Sequence, residues 1–256
     1  MSHRRTHLRA RPLSRIAWIG WIVFGLPAIA WSAEPVILDV RGYAQEAEQW
    51  CWAASGQAVM EFLAPELRTE VCQCRQAELR LSGLKCCSPG DSCTQLGDAD
   101  PLCRDPGWPD FRRYGFDFRT TCDPVPQSDW DRCEGKPLGW EQLTGEIRSG
   151  RPVVFSQRPS GQRPEVALGH SMIAFGFTAT VEQGMEKRWV LVFDPKRICR
   201  STCDWREPPC CRGDASWISY DEYRTQHGYS HWIDFYGIRR NLGSGSTDRS
   251  NGPSPR

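Results

Sequence analysis

The sequence has little net charge, which argues against nucleic acid as a partner. Among 256 residues, 32 lysines and arginines stand against 31 aspartates and glutamates, giving a formal net charge of +1. Five of the arginines lie in the first 33 residues, which contain no acidic residue. The rest of the chain, with 32 less five or 27 basic residues against 31 acidic ones, is slightly acidic and offers no basic patch for a phosphate backbone.

The sequence also lacks an apolar run long enough to cross a bilayer comfortably. The N-terminal run IAWIGWIVFGLPAIA has 15 residues and contains Pro27, whereas a spanning helix needs about 20. It follows an arginine-rich stretch and ends in small residues, as cleavable export signals do. We predict a signal peptide over residues 1–33 and a secreted or periplasmic protein without stable membrane association. An uncleaved anchor is the alternative for this segment.

Histidine is scarce, which narrows the choice of a general base. Two of the five histidines lie in the predicted signal, and three remain: His170, His227 and His231. His170 begins the apolar run HSMIAFGFTA, where a strand would hold its imidazole rigid beside a cleft. His231 is the rival candidate. A hydrogen-bonded structural role is the alternative for each histidine, and it must apply to at least two of them.

Cysteine, by contrast, is abundant and odd in number. Of the 13 cysteines, setting Cys51 aside leaves an even set that could form disulfides in an oxidising compartment. Strain disfavours bonds between adjacent cysteines, so we expect Cys86 and Cys87 to have partners elsewhere. Zinc is the alternative for the clustered cysteines, but their spacings match no common zinc template. We predict no metal and no organic cofactor.

The stretch QEAEQWCWAASGQAVMEFLAP places Cys51 at the start of a predicted helix. Apolar residues recur at helical spacing from there to Leu63, and Pro65 limits the helix. A helix N-terminus favours an anion through its partial positive charge and free amide donors, which would favour the nucleophilic thiolate. A buried core cysteine, or an odd half-cystine, is the alternative.

Farther along the chain, the patterns predict one region of helix and loop. Residues 65–81 have the apolar spacing of a second helix. Residues 85–133 are rich in Pro, Gly, Asp and Cys, and we expect loops held by disulfides rather than by a large core.

After Pro137 the pattern changes to one typical of a sheet. Residues 140–147 predict a short helix, and RPVVF, HSMIAFGFTA and VLVFDP predict strands, the last of them ended by Pro195. A polar loop is expected at residues 157–168 and a Cys-rich insertion at residues 197–215.

Asp194, at the end of VLVFDP, could complete a catalytic arrangement with His170. An acid that accepts the second imidazole N–H fixes the tautomer and stabilises the imidazolium. The strand of Asp194 follows the His170 strand as its predicted hairpin partner. A turn-forming aspartate before a proline is the alternative.

These motifs together resemble the papain-like cysteine peptidases. The resemblance is carried by Gln45-EAEQW-Cys51-Trp52-AAS, GRPVVF, the Gly-His pair at His170 and VLVFDP, over residues 45 to 238. It is nearest to the bacterial branch of staphopain-like, double-glycine-processing and plant-pathogen effector proteases. Plant enzymes place Asn where this chain has Asp194. The resemblance does not explain the 197–215 insertion or the many cysteines.

The resemblance implies a fold and an oxyanion hole. It implies an α+β, papain-like two-lobe fold, disulfide-rich, with a helical lobe at 34–136, a lobe at 137–240 containing an antiparallel sheet or half-barrel, and a disordered tail at 241–256. It also implies that Gln45, six residues before Cys51, joins the Cys51 amide as oxyanion hole. Gln49 has the wrong spacing for that role.

The implied activity is hydrolysis of peptide bonds in a protein or peptide substrate. Cys51 would be the nucleophile, His170 its base and Asp194 the orienting acid, acting through a thiolate–imidazolium pair and an acyl-enzyme. The same triad serves deamidases, acyltransferases and amidases, because all of them pass through a thioester. A non-catalytic, disulfide-rich secreted binding module is the third alternative.

Mass spectrometry of the exported, oxidised protein tests the predicted signal peptide and the predicted disulfides. We expect a mature N-terminus that follows Ala30, Ser32 or Ala33, and a single cysteine, Cys51, that alkylates without prior reduction. An N-terminus at Met1, or alkylation spread over many cysteines, would contradict the predicted signal or the predicted disulfides.

Overall fold

The computed structural model of the protein describes five stretches of the chain: residues 34–80, 84–87, 101–161, 169–199 and 211–241. Side chains are described throughout these stretches except at residues 197–199, 211 and 212. The predicted signal, the predicted tail after Asn241, most of the polar loop and the centre of the Cys-rich insertion lie outside the described residues.

An antiparallel sheet of seven strands organises the described chain. The strands are β1 (Val36–Ile37), β2 (Phe116–Thr120), β3 (Val153–Pro159), β4 (His170–Glu182), β5 (Met185–Cys199), β6 (Cys211–Ser219) and β7 (Tyr229–Arg240). Their order is β2-β7-β3-β4-β5-β6, and β1 pairs with β4. The α-helices of the described stretches are α1 (Cys51–Leu63), α2 (Gln73–Arg80), α3 (Trp140–Arg148) and α4 (Tyr220–Arg224). The expected α+β class with an antiparallel sheet is confirmed.

Both faces of the central strands are covered by helices. Because successive side chains of a strand point to opposite faces, each central strand contributes to two cores. One core joins α1 to one face of the sheet and contains Val59, Met60, Val154, Ile173 and Phe235. The other joins α3 to the opposite face and contains Leu143, Ile147, Val153, Phe155 and Ala174. Burial on both faces explains why β4 is an almost continuous apolar run.

The region before residue 137 is less helical than expected. The predicted helix over residues 65–81 is a 3-10 helix at Pro65–Leu67 followed by α2, with a turn between them. The prediction of loops over residues 85–133 was wrong for β2, which pairs with β7. The same region contributes three buried aromatic residues to the α1 core, Phe111, Phe116 and Trp130. A five-residue strand in a Pro- and Gly-rich segment has too few alternating residues to stand out from the composition.

Strands β3 and β5 are longer than their sequence motifs suggested. The polar loop expected from residue 157 begins later, because β3 continues to Pro159 and Gln157 is buried. Pro195 does not end β5: the pairing with β6 shifts register between Asp194 and Ile198 and then resumes. A shift of this kind accommodates a residue that has no N–H to donate.

The Cys-rich insertion is in part an extension of the β5–β6 hairpin. Cys199 of β5 is the backbone partner of Cys211 of β6, so both ends of the insertion belong to the sheet. Strands β1 and β2 also join this sheet from the region before residue 137. The described residues all fall within one compact unit.

Disulfides hold a small third core beside the start of α1. The structure contains Cys74–Cys87, Cys86–Cys103 and Cys122–Cys133, which confirms that Cys86 and Cys87 bond to other partners. Cys72 is disulfide-bonded as well. The first two bonds pack with Trp50 and Trp52 in this core. Among the cysteines whose side chains are described, Cys51 is the free thiol. In the same part of the chain, no helix is both long enough and apolar enough to cross a membrane.

The rival histidine, His231, belongs to a buried polar cluster. Its Nε2 lies 2.9 Å from Asp234 Oδ2, and its Nδ1 lies 3.1 Å from the backbone oxygen of Tyr223. The Tyr223 hydroxyl donates to Asp234 Oδ1 at 2.6 Å, and the Leu138 amide donates to Oδ2 at 3.0 Å. Burial lowers the pKa of His231, but the charge of Asp234 and the hydrogen bond to it outweigh this effect and raise that pKa. Both nitrogens of His231 are therefore engaged within the fold.

Replacing Asp234→Ala should strongly destabilise the protein. The substitution leaves the imidazole of His231 and the hydroxyl of Tyr223 buried without their acceptor, at a cost of about 3–5 kcal/mol. Urea unfolding followed by tryptophan fluorescence measures the loss. The control is Asp117→Ala, since the pair of Asp117 with Arg239 is exposed and worth less than about 1 kcal/mol. Equal losses in the two variants would contradict a structural role for the cluster.

Candidate active site

The free thiol of Cys51 lies at the first residue of α1. The N-cap residue Trp50 provides no side-chain cap, and the first turn of the helix contains no acidic residue. No side chain of the cap residue therefore occupies the orphan amides of the first turn. The Cys51 side chain is 5% exposed, and its Sγ lies 3.9 Å from the backbone oxygen of Gly169.

The structure brings Cys51, His170 and Asp194 together. His170 begins β4, and its Nε2 lies 2.6 Å from Asp194 Oδ1 on the neighbouring strand β5. Hydrogen bonding and charge from Cys51 help to raise the pKa of His170, so the thiol lies close to the ring, and Nδ1 is the ring nitrogen that Asp194 leaves free. The side chains of His170 and Asp194 are 28% and 38% exposed, so solvent reaches the imidazole and the carboxylate, whereas Cys51 is buried.

The electrostatics of the group favour a charged imidazole. Burial lowers the pKa of His170, but hydrogen bonds and negative charge from Asp194 and Cys51 raise that pKa to about 10. Burial in turn raises the pKa of Asp194, while the His170 hydrogen bond and charge, together with the Lys196 backbone N–H, lower it overall. At neutral pH the arrangement therefore holds a His170 imidazolium beside the Asp194 carboxylate.

Hydrogen bonds of three buried serines connect α1, β4 and β3. Ser55, one helical turn after Cys51, donates to the backbone oxygen of Ser171 at 3.3 Å. The Ser171 hydroxyl lies 2.8 Å from that of Ser156 on β3, and all three serines are buried. The residue after His170 is thus tied to the helix of Cys51, which limits relative movement of the thiol and the imidazole.

Gly169 is required by a tight contact next to His170. A Cβ atom at Gly169 would lie 2.4 Å from the ring of Trp232, which is too close for any other residue without a shift of the ring or the strand. The Trp232 ring is itself fixed, because its Nε1 donates to the backbone oxygen of Trp130 at 3.0 Å. The sequence pattern could not show this contact, because Gly169 and Trp232 are far apart along the chain.

Two further glycines fix the strand that carries Asp194. A Cβ atom at Gly42 would lie 2.1 Å from the Phe193 ring, and one at Gly213 would lie 2.4 Å from the same ring. Phe193 therefore fills a slot between the segment before α1 and strand β6. Because Asp194 is the next residue, this packing restricts where its carboxylate can lie.

Gln45, the predicted oxyanion residue, lies beside the Asp194 segment. Its backbone amide donates to the Pro195 oxygen at 2.8 Å. Its side-chain Nε2 donates to the Ala47 oxygen at 3.1 Å, and a primary amide has a second N–H. Its role in catalysis stays a prediction. Gln49, which the sequence pattern set aside, has a positive φ of 64° in the turn before α1.

In the part of the chain that the structure describes, the other histidines form no second cluster of this kind. His227 is exposed, and His231 is engaged in the core cluster. Within the same ranges, no group of three or more His, Cys, Asp or Glu side chains is arranged to hold a metal ion.

Neither a known protein family nor a curated protein matches this chain in sequence. The resemblance to papain-like peptidases, which the motifs around Cys51, His170 and Asp194 suggest, therefore stays a prediction from the sequence.

Replacing Asp194→Asn should lower the pKa of His170. Asparagine keeps an oxygen acceptor but removes the negative charge, and the negative charge favours the protonated imidazole. NMR titration of the His170 ring should give a midpoint near pH 10 in the wild type and a midpoint at lower pH in the variant. Asp214→Asn is the control, because Asp214 is the exposed partner of Asp194 on β6. An unshifted midpoint in the Asp194 variant would contradict the assigned pair.

Proposed function

We propose that the protein is a secreted papain-like cysteine peptidase that hydrolyses peptide bonds through Cys51. The observation that carries this proposal is the contact of a free helix-start thiol with an imidazole whose other nitrogen is bonded to a carboxylate. A structural cysteine needs no such partner. The three side chains come from a helix and two separate strands, as an activated nucleophile with its base and orienter requires.

Acylation begins from the thiolate–imidazolium pair. The Cys51 sulfur attacks the scissile carbonyl carbon and forms a C–S bond, and the carbonyl electron pair moves onto oxygen. When the intermediate collapses, the C–N bond breaks and the His170 imidazolium gives its proton to the departing amine. The products of this half-reaction are the free amine and a thioester on Cys51. Asp194 keeps the ring oriented and balances its charge while the proton is held.

Deacylation returns the protein to its starting state. Neutral His170 takes a proton from a water molecule, whose oxygen attacks the thioester carbonyl. Collapse of the second intermediate breaks the C–S bond and releases a carboxylic acid. The thiolate and the imidazolium are then restored, so the cycle consumes only water and the peptide.

The developing oxyanion needs donors on the Cys51 side of the scissile bond. The backbone amide of Cys51 stands at the uncapped start of α1, and Gln45 supplies the side-chain amide in this proposal. Donors fixed before the reaction stabilise the intermediate more than mobile ones, because no reorganisation is needed when the charge forms. The substrate would lie in a cleft with α1 on one side and the β4–β5 segment on the other, which is the two-lobe arrangement of this proposal.

The disulfides bear on where the protein acts. The bonds Cys74–Cys87, Cys86–Cys103 and Cys122–Cys133 are consistent with an extracellular protein. We assign the protein to a secreted or periplasmic location, where a protein or peptide would be its substrate.

Replacing Cys51→Ala should abolish hydrolysis of fluorescein-labelled casein, and His170→Ala should reduce it by at least about a thousandfold. The wild type should also react with iodoacetamide at Cys51 faster than the His170 variant, because the imidazolium supports the thiolate. His227→Ala, which alters an exposed histidine, is the control and should behave as the wild type.

Product analysis separates peptidase activity from its alternatives. Cut peptides support the proposal, whereas deamidated glutamine or a new isopeptide bond with uncut chains would replace it by a deamidase or an acyltransferase. Iodoacetamide labelling of Cys51 no faster than that of an unfolded thiol would point to a non-catalytic binding module.

A further inference from the structure

A single buried side chain, that of Gln73, grips the backbone on both sides of Gln45. Gln73 is the first residue of α2 and is 1% exposed. Its Oε1 accepts the Glu46 amide at 2.8 Å, and its Nε2 donates to the Ala44 oxygen at 2.9 Å. Both ends of one side-chain amide are therefore used on the two neighbours of the predicted oxyanion residue.

The gripped segment is also joined to the strand of Asp194. The Gln45 amide donates to the Pro195 oxygen at 2.8 Å, so three successive residues, 44 to 46, make backbone hydrogen bonds to groups distant in sequence. A loop with its backbone bonded in this way has little freedom to tilt or slide. The position from which the Gln45 side chain starts is set by Gln73 on one side and by β5 on the other.

Gln73 is itself held in place by covalent bonds. It lies between Cys72 and Cys74, both of which are disulfide-bonded. One turn farther along α2, Gln76 donates to the Ala53 oxygen of α1 at 2.8 Å. The Gln76 amide thus bonds to α1, whereas the Gln73 amide bonds to the loop of Gln45.

We infer that Gln73 is a positioning residue, which acts through Gln45 by aligning its amide with the oxyanion that forms at Cys51. This inference rests on the proposed function. A donor displaced by about 1 Å can lose a factor of about a hundred in rate, and an oxyanion donor contributes only when it is preorganised. Gln73 has no contact with the sulfur in this assignment and takes no part in bond making.

Loss of the Gln73 amide should leave the fold intact. The start of the same loop has its own tether, since the Tyr43 hydroxyl donates to Glu61 of α1 at 2.5 Å. The disulfides of Cys72 and Cys74 remain in a Gln73→Leu variant. We expect the local change to be confined to residues 44–46, whose backbone groups lose the Gln73 amide.

The experiment compares Gln73→Leu with Gln76→Leu in two reactions of Cys51. Hydrolysis of fluorescein-labelled casein forms an oxyanion, whereas alkylation by iodoacetamide proceeds by displacement of iodide and forms none. Gln73→Leu should lower hydrolysis by about tenfold or more and change the alkylation rate by less than about twofold. Gln76 is the matched control, being equally buried on the same helix, at 3% exposure, and bonded to α1 instead of the loop. Gln76→Leu should keep the wild-type ratio of the two rates.

A double-mutant cycle with Gln45→Ala makes the test specific. If Gln73 acts through Gln45, Gln73→Leu should have little further effect on hydrolysis once the Gln45 amide is gone. Full additivity of the two losses would overturn the inference, as would a parallel fall in hydrolysis and alkylation in the Gln73 variant. Failure of the proposed function looks different: wild-type protein would then show no Cys51-dependent hydrolysis at all.

Discussion

The hydrogen bond between His170 and Asp194 is the interaction on which the rest of the site depends. It holds the imidazole in one orientation, keeps it protonated and leaves one ring nitrogen for Cys51. The bond joins adjacent antiparallel strands, and its position therefore follows from the register of β4 against β5. A slip of one residue would send these side chains to opposite faces of the sheet and separate the pair.

Close packing protects that register at several points. The Phe193 ring between Gly42 and Gly213, and the Trp232 ring against Gly169, leave no space for a Cβ atom at any of the three glycines. The serines that link α1 to β4 also favour one relative position of the helix and the strand, because their hydrogen bonds are buried and losing them would leave polar groups without partners. Apolar packing and buried polar contacts thus both limit the movement of the Cys51 thiol relative to the His170 imidazole.

The disulfides that the structure describes lie in the region before residue 137, where the described strands are short. Around α2 they join short segments whose own apolar surface is small, and they enclose Trp50 and Trp52 beside the start of α1. Closing loops of this kind restricts the unfolded chain more than it strengthens the folded one. In this protein it also fixes the buried glutamine of α2 that binds the loop of Gln45.

Sequence patterns alone were enough to predict the helix of Cys51, the apolar strands β3 to β5 and the candidate triad, because helical spacing, apolar runs and a small set of histidines are local or countable features. They did not show β2, the continuation of β5 past Pro195, or the glycine contacts of Phe193 and Trp232. Those depend on which residues meet across the sheet, and residues far apart in sequence carry no local sign of it. Tertiary structure also decided the different surroundings of His170 and His231. Both histidines are followed by strand residues, but only one has Cys51 beside it, while the other is sealed in the core with Asp234.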